Sequence, residues 1–140
     1  MAFTTVYRVR FGDEDHAQIV YYPRFFHIFH TAFEDFFDQQ GFPYRACLDE
    51  GVGWPAVHAE ADYLRQVRFG DELVIAVSLE KIGRSSSTFR YVATLRRGGV
   101  DDDGPAVTAK IVVACIDMKT MRSQEIPAKY RALFEPHVAG

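Results

Sequence analysis

Cysteine is scarce: Cys47 and Cys115 are the only two. They lie far apart and form no C-x-x-C pair, so they read as small buried apolar side chains, not as a disulfide framework. No spacing of histidine, cysteine and carboxylates makes a metal site either, and none is expected. Charge of one sign is lacking, since the formal net charge is only −3. That gives no electrostatic case for binding nucleic acid. No apolar run is long enough to span a membrane. The opening MAFTTVYRVRF has neither the charged head nor the apolar stretch of a signal peptide. The expectation left standing is a soluble cytoplasmic protein.

Rings, in contrast, are plentiful. The chain is 48% hydrophobic and 14% aromatic over 140 residues, enough for one domain, 1–140, with a substantial core. The rings concentrate after Pro23, which suits the first turn of a helix because its missing N–H costs nothing there. Phe25, Phe26, Phe29, Phe33, Phe36 and Phe37 follow at helical spacings. The spacing predicts a deeply buried helix over 22–39, stopped by Gly41 and Pro43. YRACLDE predicts a short second helix, and IPAKYRALFE a short closing one.

The rest changes period. FTTVYRVRF reads as a strand ending at Gly12. PAVHAEADYLRQVRF, DELVIAVSLEKIG, SSTFRYVATLRR and PAVTAKIVVACIDM read as four long strands, separated by turns at FGD, GRSS and GGVDDDG. Asp101–Asp103 is expected at a solvated hairpin tip. One greasy helix among so much antiparallel sheet has to be covered by that sheet, an α+β arrangement.

The hexapeptide VRFGDE occurs twice, at Val9–Glu14 and Val67–Glu72. The flanks differ, so the repeat marks a shared Gly-Asp turn, not two equivalent sites. Asp71 takes only the turn role. What the first copy adds is Asp15, in a polar stretch before the helix. His58 and Glu60 alternate with alanines and so share one face of their strand. They would be functional if that face met the helix or a partner subunit. His27 and His30 lie on the helix.

This layout resembles the hotdog fold, in which a sheet wraps one long central helix. The stretch RVRFGDEDHAQIVYYPRFFHIF resembles the N-terminal signature of the 4-hydroxybenzoyl-CoA thioesterase family. The matching pieces are Gly12, Asp13, Asp15, Ile19, Val20, Tyr21, Tyr22 and Pro23. The likeness continues faintly through GFPYR, FGDELVIAVSLEKIGRSS and IPAKYR. It implies hydrolysis of an acyl-CoA thioester without a cofactor or metal. It assigns the carboxylate, as nucleophile or as general base, to Asp15. It assigns polarisation of the thioester carbonyl to the backbone N–H of Tyr22. Glu60 and His58 are the reserve acid and base, because some relatives place the carboxylate across a subunit interface. It implies a homodimer assembling to a homotetramer. It places CoA phosphate contacts near Arg84, Ser85 and Ser86.

The chain departs from that pattern in three places. His16 and Gln18 replace residues that are usually small, and Gln18 stands where a glycine with positive φ would be comfortable. His30 stands where the family has a carboxylate facing the substrate ring. The acyl pocket is expected to include Tyr21, Phe26, His30 and Trp54. Such rings favour a benzoyl-type or arylacetyl-type group, and His30 argues against a large preference for the 4-hydroxy form. The alternatives are an aliphatic acyl-CoA or acyl-carrier-protein thioesterase, a hotdog hydratase or dehydratase, and a non-catalytic acyl-CoA binding module.

Overall fold

The structure is a computed structural model that describes residues 2–139. Strand β1 (Phe3–Arg8) leads through a 3-10 turn at Phe11–Asp13 to helix α1 (Arg24–Gln39) and the short helix α2 (Tyr44–Asp49). Strands β2 (Val52–Gly53), β3 (Ala56–Tyr63), β4 (Glu72–Ile82), β5 (Ser86–Arg97) and β6 (Val100–Ala114) follow. Two-residue strands β7 (Ile116–Asp117) and β8 (Arg122–Ser123) precede helix α3 (Ala128–Phe134). Five strands form an antiparallel sheet in the order β1-β4-β5-β6-β3, and β2-β7-β8 make a small second sheet.

Period-two patterning fixes which face of the large sheet is wet. On β4, Leu73, Ile75, Val77 and Leu79 are fully buried, while Glu72, Val74, Ala76 and Ser78 between them are partly exposed. Phe89, Tyr91, Ala93 and Leu95 continue the dry face on β5. Register carries it across: Val77 pairs with Tyr91 and Leu79 with Phe89, and Tyr91 pairs with Ala109. Helix α1 lies on that face. It buries Phe25, Ile28, Phe29, Ala32, Phe33, Phe36 and Phe37, and leaves His27, His30, Glu34 and Asp38 on the wet side. The hotdog architecture expected from the sequence is therefore present.

Three boundaries differ from expectation. Strand β1 stops at Arg8, because Asp13 accepts the Arg10 N–H at 2.9 Å and pulls the chain into the 3-10 turn. Strand β3 stops at Tyr63, because the N–H groups of Leu64 and Arg65 both turn to the Ala106 carbonyl. Strand β6 starts earlier, so Asp101–Asp103 lies within the strand and not at the hairpin tip. Arg96 and Arg65 hold Asp101 and Asp102 there, at 2.7 and 2.9 Å. The tip itself is Gly98–Gly99, both at positive φ.

The two VRFGDE copies lie against each other. Val9 donates to the Asp71 carbonyl at 2.9 Å, Gly70 returns a bond to Val9 at 3.1 Å, and Phe69 donates to Glu14 at 2.8 Å. Phe11 and Phe69 meet edge to face, with centroids 5.8 Å apart. Each aspartate does the same job. Asp13 accepts from the backbone of Arg10 and the side chain of Arg24; Asp71 accepts from the backbone of Arg68 and the side chain of Arg97.

Candidate active site

The segment between the 3-10 turn and α1 is a tight loop. It is closed by a bridge between Glu14 and Val20 and by the Tyr21 N–H on the Asp13 carbonyl at 2.9 Å. Asp15 sits in this loop, exposed. Its Oδ1 accepts the Ala17 N–H at 2.8 Å, and its backbone carbonyl accepts from Gln18 at 3.0 Å. Gln18 takes φ 63, the left-handed conformation that the glycine-like position demanded. One carboxylate oxygen of Asp15 thus fixes the loop, and among the described residues the other accepts no hydrogen bond.

Helix α1 starts beside this loop. Arg24, Phe25 and Phe26 spend their N–H groups on Tyr21, Tyr22 and Pro23, and Pro23 has none. Among the described residues the Tyr22 N–H donates to no acceptor. It is an unspent donor at the positive end of a helix dipole. The Arg24 side chain swings back to Asp13 at 2.8 Å. Sequence reasoning missed this pairing, which anchors the loop to the helix start.

Two pockets open between α1 and β3. The smaller, about 220 Å³, is walled by Ile19, Val20, Tyr22, Phe25, Tyr63 and Leu64 among others. The larger, about 330 Å³, lies further along the helix. Its wall includes Phe26, His30, Phe33, Tyr44, Trp54 and Tyr91. Three of the four residues expected around the acyl group, Phe26, His30 and Trp54, therefore share one wall. Tyr21 is outside it, about half exposed, with its ring against Tyr22. Tyr91 and Glu34 were not singled out. Alternation along β5 could have shown that Tyr91 faces inward, but not that it meets a cavity. Glu34 was readable, being one helical turn beyond His30, and its Oε2 stands 2.9 Å from His30 Nε2.

The reserve pair lies elsewhere. His58 pairs with Val112 and Glu60 with Lys110 on the sheet face away from α1. The two side chains contact each other at 2.9 Å and are more than half exposed. Within one chain they do not join Asp15. Arg84, Ser85 and Ser86 are also remote: they form the β4–β5 turn, tied to Ile126 and Cys115 at the far end of the fold. No group of three or more metal-ligating side chains gathers among the described residues. No helix there is long and apolar enough to cross a membrane.

Residues 9–134 match the family model of the thioesterase-like superfamily. A 1,4-dihydroxy-2-naphthoyl-CoA hydrolase from Nostoc punctiforme is 32% identical over 130 residues, covering 91% of this chain and 82% of the relative. A thioesterase superfamily crystal structure from Jannaschia sp. CCS1 superposes with TM-score 0.87 at 27% identity, covering 99% of this chain and 94% of the other. A mutant 4-hydroxybenzoyl CoA thioesterase complexed with 4-hydroxybenzoyl CoA gives TM-score 0.83 at 25% identity, covering 95% and 98%. With the family model and the fold in agreement, the chain belongs to the thioesterase-like superfamily, as a hotdog-fold member of a family of thioester hydrolases.

Proposed function

We propose that the protein hydrolyses an aromatic acyl-CoA thioester, with Asp15 as the reacting carboxylate. The observation that carries this is the unspent Tyr22 N–H at the start of α1, beside the Asp15 loop. Charge builds on the carbonyl oxygen as the thioester is attacked, and that N–H with the helix dipole stabilises it. Asp15 either attacks the carbonyl carbon, giving a mixed anhydride that water then opens, or takes a proton from the attacking water. Either way the C–S bond breaks and CoA leaves as its thiol. The ring-walled pocket supports an aromatic acyl group, as do relatives that act on naphthoyl-CoA and hydroxybenzoyl-CoA esters.

The separation of parts supports a dimer. Strand β3 is a free edge, and it runs opposite to α1: Tyr63 touches Tyr22, whereas Trp54 just before the strand touches Phe37. Antiparallel pairing of two β3 edges sets each Asp15 loop near the opposite end of the partner. There the partner's larger pocket and its Arg84–Ser86 turn complete the site. Two such dimers would make the tetramer.

The test replaces each carboxylate in turn. Asp15→Asn is expected to keep the fold and lower kcat at least about a hundredfold, measured as thiol release from aroyl-CoA esters. Normal turnover by Asp15→Asn with a dead Glu60→Gln would move the chemistry to β3.

A further inference from the structure

The larger pocket contains a polar group that the hydrolysis above does not use. Tyr91 sits on the dry face of β5 and is only 2% exposed. Its ring stacks on Phe29, with centroids 5.1 Å apart, and borders the pocket. Among the described residues no hydrogen bond reaches its hydroxyl. Other inward tyrosines behave differently. Tyr130, also buried, donates to Glu50 at 2.6 Å, and Tyr7 donates to Asp13 at 2.8 Å.

A buried tyrosine hydroxyl ordinarily finds a partner, because leaving one dry and unpaired is costly. For Tyr91 none is found among the described residues, its hydroxyl is not fully sealed off, and the cavity it borders is where a partner can come from. Burial pushes its phenol pKa up, so at neutral pH the hydroxyl keeps its proton and can both donate and accept. Its neighbours in the wall, Phe26, Phe33, Ile111 and Val113, offer only carbon. Three other wall residues carry polar atoms: His30, which is half exposed and engaged with Glu34, Tyr44, and Trp54, whose buried indole N–H can only donate. A cavity of about 330 Å³ is at the small end for ligand pockets, suited to one or two rings.

We propose that Tyr91 sets the specificity of this pocket by hydrogen-bonding a polar ring substituent, a hydroxyl or a carbonyl, on the aromatic acyl group. The proposal rests on the aryl-CoA reading above and adds the residue that discriminates among aryl groups. With His30 alone in view, the expectation is no large preference for the 4-hydroxy form. With Tyr91 inside the pocket, a bare ring leaves its hydroxyl unpaired. The expected preference for a ring-hydroxylated ester is about tenfold to a hundredfold in kcat/KM.

The experiment compares benzoyl-, 3-hydroxybenzoyl- and 4-hydroxybenzoyl-CoA on the wild type and on Tyr91→Phe, which removes one oxygen and keeps the ring stack. The variant is expected to lower kcat/KM for the preferred hydroxylated ester about tenfold to a hundredfold more than for benzoyl-CoA. Equal effects on all three esters, or no effect, would overturn the proposal while leaving the aryl-CoA reading intact. If no aryl ester is hydrolysed, that reading fails, and binding still decides the role of Tyr91. Trp54, the single tryptophan, lines the same pocket and reports occupancy by its fluorescence. Titration with benzoate and the hydroxybenzoates should then show tighter binding of a hydroxylated acid that Tyr91→Phe removes. Identical titrations for the two proteins would overturn the proposal.

Discussion

Asp13 is 1% exposed and accepts from the Tyr7 hydroxyl, the Arg10 N–H and the Arg24 guanidinium. Burial alone would raise its pKa. The three donors outweigh that and hold it below the usual carboxylate value, and Asp71 is lowered in the same way by Arg97 and the Arg68 N–H. A depressed folded-state pKa means that the stabilisation is fully present above the unfolded value, about 4. It is lost as pH falls from there through the lower folded values. Asp13→Asn should cost about 1–3 kcal/mol at neutral pH, because a half-exposed guanidinium and two other donors lose their charged acceptor. Urea unfolding between pH 2 and 6 should also show a shallower acid loss than in the wild type. An unchanged acid slope would count against this account. The sequence exposed the Gly-Asp turn through its repetition, and the strained place of Gln18 through what the family has there. It could not show that the two turns touch, or that Arg24 reaches back across the loop, since neither contact leaves a periodic trace.

Among the elements, α1 was the most legible, because six phenylalanines at helical spacing leave little choice. Strands β4 and β5 came out nearly to the residue from alternation alone. The start of β6 did not, because a run of three aspartates mimics a turn until Arg96 across the hairpin and Arg65 just after β3 pair with it. The end of β3 was obscured for another reason: the apolar Leu64 and Val67 extend the strand pattern, but Leu64 is exposed and Val67 buries against the Asp15 loop, where Val20 donates to its carbonyl at 2.8 Å. The helix depends on shape as well as pattern. Phe36 is fully buried between Phe3, Phe89 and Phe134. Phe36→Ala should lower stability by about 3–5 kcal/mol, the usual cost of an aromatic-sized cavity, read from the chemical-denaturation midpoint. A loss below 1 kcal/mol would mean that α1 repacks freely.

At the scale of the molecule, the edges matter most. Strand β3 presents an unpaired backbone with Val57 at 64% and Tyr63 at 43% exposure, and long edges of this kind invite pairing. Val57→Asp should shift sedimentation velocity from a dimer or larger species toward monomer. Activity should fall with it, because the proposed site draws on both copies. A wild-type protein that is monomeric and fully active at nanomolar concentration would defeat the two-chain site. No reading of a single sequence could have supplied this geometry. Arg84 and Asp15 looked compatible along the chain, and only the fold shows that they stand at opposite ends of it.

The strand order also bears on how the protein is made. The N-terminal half supplies both sheet edges and the phenylalanine helix, whereas the central strands β4, β5 and β6 come from the later half. A ribosome therefore releases α1 well before the surface that covers it exists. From the end of α1 at Gln39 to the end of β6 at Ala114, synthesis at about 5–20 residues per second leaves that greasy face bare for roughly 4–15 s. The period of greatest aggregation risk falls during translation, and holding chaperones that bind nascent apolar helices would matter more to the yield of this protein than the stability of its finished core.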